Sequence, residues 1–231
     1  MKNNAVRLKQ ALADSHSLAA RLDEPGFAIA ELELIQTWQR QRLAETYVDL
    51  ISQQRYSAAG DFFLDELYGG LHFRERDQEM ERVLPVMARM LRDDMLLVMA
   101  EAFELQSLSL KFDMDMTRQY LTHDWNELNL TRYAEIYRAC GRQSEREQQI
   151  ELIHRLGIQL NSLVHHRLVM MLIRLLKGPA IAAGFGLLQS FLENGLNAFK
   201  IMGDGTEFID IVRLREFEFM RGLFAGEENP L

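Results

Sequence analysis

Residues 62–70 read Phe62-Phe63-Leu64-Asp65-Glu66-Leu67-Tyr68-Gly69-Gly70, and the period on which they are read decides the class of the chain. At the ~100° per residue of a helix, Phe63, Leu64, Leu67 and Tyr68 share one face, and Asp65 and Glu66 lie on the other. Phe62 falls on the carboxylate side, so it needs a second helix, an oligomer partner or a ligand to cover it. Gly69 and Gly70 then stop the helix, because glycine takes the left-handed conformation that closes a helix end. The stretch is a short aromatic wedge. No useful window of the chain shows strand-like alternation, and only Pro25, Pro85, Pro179 and Pro230 interrupt it. The expected class is all-α.

The 231 residues suit one domain, residues 1–231, and 48% hydrophobic content supplies its core. A net charge of −8, from 26 basic and 34 acidic residues with no basic run, argues against a surface that tracks phosphates, so nucleic acid is not an expected partner. Cys140 is the only cysteine, which rules out an internal disulfide framework and any Cys-x-x-Cys site. A reducing cytoplasm is expected, because residues 1–7 contain no apolar run of the secretory type.

Outward from the wedge, apolar spacing predicts helices over 4–22 and 27–53, the first stopped by Asp23-Glu24-Pro25-Gly26. Trp38 points away from the second stripe and is expected to pack on a neighbouring helix. Pro85 either kinks a helix or opens a new one. A deeply placed helix follows over 94–121, then one over 126–140 stopped by Gly141. Asp113 projects into the apolar arc of the former, where it needs a partner, an arginine being one choice. Ser144-Glu145-Arg146-Glu147 has the form of a capping box and predicts a helix over 145–177, about 50 Å long. Gly178-Pro179 breaks it, and a helix over 180–202 follows, with Ala180 and Gly184, and Ala182 and Gly186, spaced for close helix contact. The expected architecture is thus a compact bundle of about eight or nine helices with a central hydrophobic hairpin over 145–202 and a last helix over 207–224. After Lys177 the uncharged run is only about fifteen residues, short of the ~20 that span a bilayer, so no transmembrane segment is expected.

The wedge, followed by Leu71-His72-Phe73-Arg74, resembles the motif of the FFLEELY motif proteins of bacteria, in which Phe-Phe-Leu-Glu-Glu-Leu-Tyr-Gly precedes a His-Phe pair. Asp65 stands where Glu is commoner. The likeness extends over most of the chain, including 83–91. It implies a bacterial source and transfers no activity, substrate, cofactor or catalytic residue.

Three functional readings follow. Phe62, Phe63, Tyr68, His72 and Phe73 form an aromatic surface for a protein partner or a second copy of the chain, giving a non-catalytic binding or assembly protein. Alternatively, Glu151 and His154, three residues apart on a helix, are metal ligands in a metal- or haem-dependent helical enzyme, although no second Glu-x-x-His completes a di-iron set. A lipid-surface mode for the hydrophobic hairpin is the third. Nucleophilic catalysis has no sequence support: Gly-x-Ser-x-Gly and phosphate-loop patterns are missing, and Cys140 sits at a helix C-terminus, which does not stabilise a thiolate.

Overall fold

The structure, a computed structural model, describes residues 3–67, 73–166, 170–171, 177–178, 180–227 and 230. In chain order the elements are α1 (Asn3–Ala20), a 3-10 turn (Arg21–Asp23), α2 (Ile29–Thr46), α3 (Val48–Ile51), α4 (Gln54–Phe62) and a π turn (Phe63–Leu67). Then come α5 (Phe73–Met90), α6 (Asp93–Tyr120), α7 (Leu130–Cys140), α8 (Gln143–Leu163), α9 (Gly186–Met202) and α10 (Thr206–Ala225). The described residues contain no strand, and none of their helices is long and apolar enough to cross a membrane.

α6 and α8 form the frame. They run antiparallel, as shown by Gln149 Nε2 donating to Ser109 Oγ at 2.7 Å and Gln159 Nε2 donating to Glu101 Oε2 at 3.1 Å. α1 lies along one side of α6, its Leu8 and Leu12 in a core with Leu96, Ala100 and Phe103. Arg7 fixes that contact by donating to both carboxylate oxygens of Glu104 at 2.7 Å. α2 and α7 cover α6 further along, where Trp38 stacks on Tyr133 with centroids 3.9 Å apart, the neighbour its position predicts. α10 packs on α8 and α7, and α9 packs on α4 and α5.

Several expected elements differ. The helix expected over 27–53 divides at Tyr47, which leaves helical dihedrals (φ −108°, ψ 13°) where its hydroxyl donates to Glu216 Oε1 of α10 at 2.8 Å. This division and the separate α4 give ten named α-helices, and described residues 170–171, 177–178 and 180–182 are helical as well, against the eight or nine helices expected. α5 continues through Pro85. The capping box is not formed: α8 starts at Gln143 after a left-handed Arg142 (φ 63°), so Ser144 is already its second residue.

The central hairpin is also revised. Its first arm ends at Leu163, and α8 rests chiefly on α6 and α10, with less contact to α9. The second arm starts at Gly186, and residues 167–169, 172–176 and 179 between the arms lie outside the described residues. Gly184, with φ +79°, ends a short helical stretch at 180–182: its N–H donates to Ile181 O at 3.0 Å, and Phe185 N–H donates to Ala180 O at 2.8 Å. That pair of bonds is a Schellman ending, which needs glycine at the left-handed position. The Ala180 and Gly184 spacing is therefore a helix stop and not a contact seam.

Candidate functional site

The wedge works by way of its π turn. The wider turn at Phe63–Leu67 shifts the 3.6 period for the residues that follow α4, and both phenylalanines find cover inside the same chain. Phe62 lies on Gly195 of α9 and 5.5 Å from the Phe191 ring; Phe63 stands 5.9 Å from Phe199 and 6.1 Å from Phe208. The opposite side of the turn is tied by Arg40, which donates from Nε to Leu64 O at 3.2 Å and pairs with Asp65.

Beside these rings lies a cavity of about 650 Å³. Its wall runs along α6 from Met95 to Asp113 and along α8 from Arg146 to Leu163, and it is completed by residues of α2, α5, α9 and α10. Leu43, Val98, Met99, Phe103, Leu105, Ile153, Leu156, Leu160, Phe191 and Leu192 are among the apolar groups facing it. Helical spacing explains the supply: Ile153, Leu156, Gly157 and Leu160 fall at i, i+3, i+4 and i+7 on one face of α8.

Polar groups converge where α2, α6, α7 and α8 meet. Asp113 is 9% exposed and accepts from Gln36 Nε2 at 3.0 Å and Gln39 Nε2 at 3.2 Å. Burial pushes its carboxyl above the usual range, and the two amides and the Arg146 charge only partly oppose this. The arginine that the sequence offered as a partner thus acts on Asp113 through its field, while glutamines make the hydrogen bonds. Arg146 is 6% exposed, with its guanidinium carbon 3.9 Å from the Phe112 centroid and 4.3 Å from that of Tyr137. Arg42 gives both Nη atoms to Glu216 and stacks 4.2 Å over Phe219.

A second hollow of about 750 Å³ opens between α6, α8 and α10, where Glu104, Glu147 and Glu151 face Arg155, Arg213 and Arg221. Its charges balance, so it presents no field of one sign to a ligand. Apolar walls with a few convergent polar groups are the mark of a small-molecule site, and only the first cavity has both.

A family model describing a domain of unknown function, DUF8198, matches residues 17–230, a span that includes every residue of this cavity named above. The chain belongs to the DUF8198 family. No curated protein and no solved structure matches it.

In this DUF8198 chain Phe62 and Phe63 both line the cavity. Tyr68 and His72 lie outside the described residues, and Phe73 is described only as the first residue of α5. Glu151 and His154 do sit together on α8, but each is engaged by α10. Arg213 donates from Nε to Glu151 Oε2 at 3.0 Å and from Nη2 to Oε1, holding that carboxyl below its usual range. His154 Nε2 is 2.7 Å from Asp210 Oδ1. The described residues contain no group of three or more His, Cys, Asp or Glu side chains that could hold a metal ion. The two residues clasp α8 to α10.

Sequence reasoning picked out Asp113 but missed Gln36, Gln39 and Arg146. The signal was present: Arg146 shares the α8 stripe with Ile150, Ile153 and Gly157, and an arginine on an apolar stripe is as costly as the aspartate that was noticed.

Proposed function

We propose that this protein is a non-catalytic binding protein that takes an apolar small molecule between α6, α8 and α9. The cavity carries this reading. Its volume of about 650 Å³ falls in the ~300–1,000 Å³ range of small-molecule sites. Walls of Leu, Ile, Val, Met and Phe favour an apolar occupant. The inward packing of Phe62 and Phe63 supports a small molecule over a macromolecular partner as the thing bound. Cys140 adds no nucleophile, since burial pushes its thiol up to about 11.

The test combines native mass spectrometry with titration of an environment-sensitive apolar dye. The protein purified from a bacterial host is expected to show, on part of the population, one bound species of a few hundred daltons above the 26.8 kDa chain. After extraction of that species, the dye is expected to bind at one saturable site. Ala102→Trp and Ile153→Trp, which place bulk at two points of the wall, are expected to weaken the dye at least tenfold with cooperative melting retained. Unchanged dye affinity in both folded variants sinks the reading.

A further inference from the structure

The cavity has two unlike ends. Asp113 and Met95 are eighteen residues apart on α6, about 27 Å, and Arg146 and Leu163 are seventeen apart on α8, about 25 Å; all four line the same space. The space is therefore long as well as large. Toward Met95 and Leu163 it meets Phe62, Phe191 and Leu192, and toward Asp113 and Arg146 it meets glutamines, tyrosines and charges.

The ionisable side chains on its described wall differ in how they are satisfied. Arg42 is paired with Glu216, Arg213 with Glu151, and His154 with Asp210. Asp113 is held by two glutamine amides. Arg42 Nε has no hydrogen-bond partner among the described residues, but Arg146 alone of these groups also lacks a carboxylate or amide partner there. Among the described residues its Nε and Nη2 have no hydrogen-bond partner and no carboxylate lies within ion-pair distance, although the side chain is 6% exposed. The Phe112 and Tyr137 rings both lie against the guanidinium, which lowers the cost of its burial through cation–π contact. Beside it, Gln36 Oε1 also has no partner among the described residues. A buried guanidinium with unused donors costs free energy unless something supplies acceptors. Its planar fork fits a carboxylate through two parallel bonds, which an ammonium cannot offer.

Resting on the binding function proposed above, we infer that the ligand is a single-chain amphiphile with an unbranched apolar body and a carboxylate head, the head at Arg146 and the chain directed along α6 and α8 toward Phe62. Asp113 lies on the same side, where burial pushes its carboxyl above the usual range while Gln36, Gln39 and the Arg146 charge oppose this.

The experiment uses the full chain after extraction of bound lipid and compares displacement of the apolar dye by hexadecanoate, hexadecanol and methyl hexadecanoate. Hexadecanoate is expected to bind at least tenfold more tightly than the alcohol or the ester, and octanoate more weakly than hexadecanoate. Arg146→Met, which keeps length and volume, is expected to bring acid and alcohol to within threefold of each other while alcohol binding persists. Arg146→Lys is expected to keep only part of the preference. Equal affinity of wild-type protein for acid, alcohol and ester overturns the inference about the head and leaves the apolar site standing. If none of the three displaces the dye, or the dye finds no site, the binding reading itself fails. Because the acid-to-alcohol ratio is read in wild-type protein, the inference is decided even if Arg146→Met does not fold.

Discussion

Gly195 lies so close beneath the Phe62 ring that a Cβ at this position would stand 2.7 Å from Cζ and 2.9 Å from Cε2. The contact joins the end of α4 to α9 and sets one wall of the cavity, so the absence of a side chain at 195 is what lets the wedge seat. Gly195→Ala is expected to destabilise the fold by ~1–3 kcal/mol through overpacking. The check is a double-mutant cycle by thermal or urea denaturation: in the Phe62→Leu background the same change should cost clearly less. Strictly additive losses would show that ring and glycine are not coupled.

Phe62→Ala tests the wedge from the other side. The ring is half-buried and packs within its own chain, against Gly195 and Phe191. Its removal is expected to cost about 2–4 kcal/mol of stability, the lower part of the usual Phe→Ala range being favoured by partial exposure. Sedimentation should give the same association state for variant and wild type. Normal melting combined with weakened self-association would return Phe62 to an intermolecular surface.

Asp113 gives the stability of the protein a pH dependence of known sign. Its carboxyl titrates above the ordinary range in the folded state because of burial, so the folded state binds more protons than the unfolded one between the two pKa values. Stability contributed by this group is full below the unfolded value of ~3.9 and is lost as pH rises through the folded value. Asp113→Asn is expected to flatten this part of the profile and to raise the melting temperature relative to wild type near pH 8. Gln36 Oε1, without a partner among the described residues, is available to accept from the new amide. A wild-type profile that rises with pH across this window and stays unchanged in Asp113→Asn would contradict the assignment.

How far the fold was legible depends on the range of the forces involved. α6, α7 and α10 were readable within a few residues because their apolar stripes and end signals are local: Gly141 after Cys140, and Gly203-Asp204-Gly205 before Thr206. The division at Tyr47 was not, because its partner Glu216 is 169 positions away in the sequence. Gly184 was misread for a different reason. Small residues four apart suit both a helix seam and a Schellman ending, and only the φ of +79° separates them. At the site, Asp113 announced itself as a charge in an apolar arc, and Phe62 announced its need of cover. The π turn that follows Phe62 left no mark in a period of 3.6. The cavity itself was invisible to the sequence, since it arises from how α6, α8 and α9 are spaced and not from any one stripe.

Glu151 and His154 provide the last prediction, because the metal reading and the clasp reading diverge there. Arg213 occupies both Glu151 oxygens and Asp210 faces His154 Nε2, so a cation would have to displace an ion pair and a hydrogen bond between α8 and α10. Glu151 titrates below its usual range, so its contribution to stability is present above the unfolded value of ~4.3 and is lost as pH falls through the lower folded value. Glu151→Gln is therefore expected to lower the melting temperature slightly at pH 7. The difference should shrink in 1 M salt and vanish in the acid range, as expected for a pair that is nearly half exposed on both sides (45% and 40%). Melting curves with and without EDTA should coincide for both proteins. A chelator-induced fall in wild type that His154→Ala abolishes would instead make these two residues metal ligands.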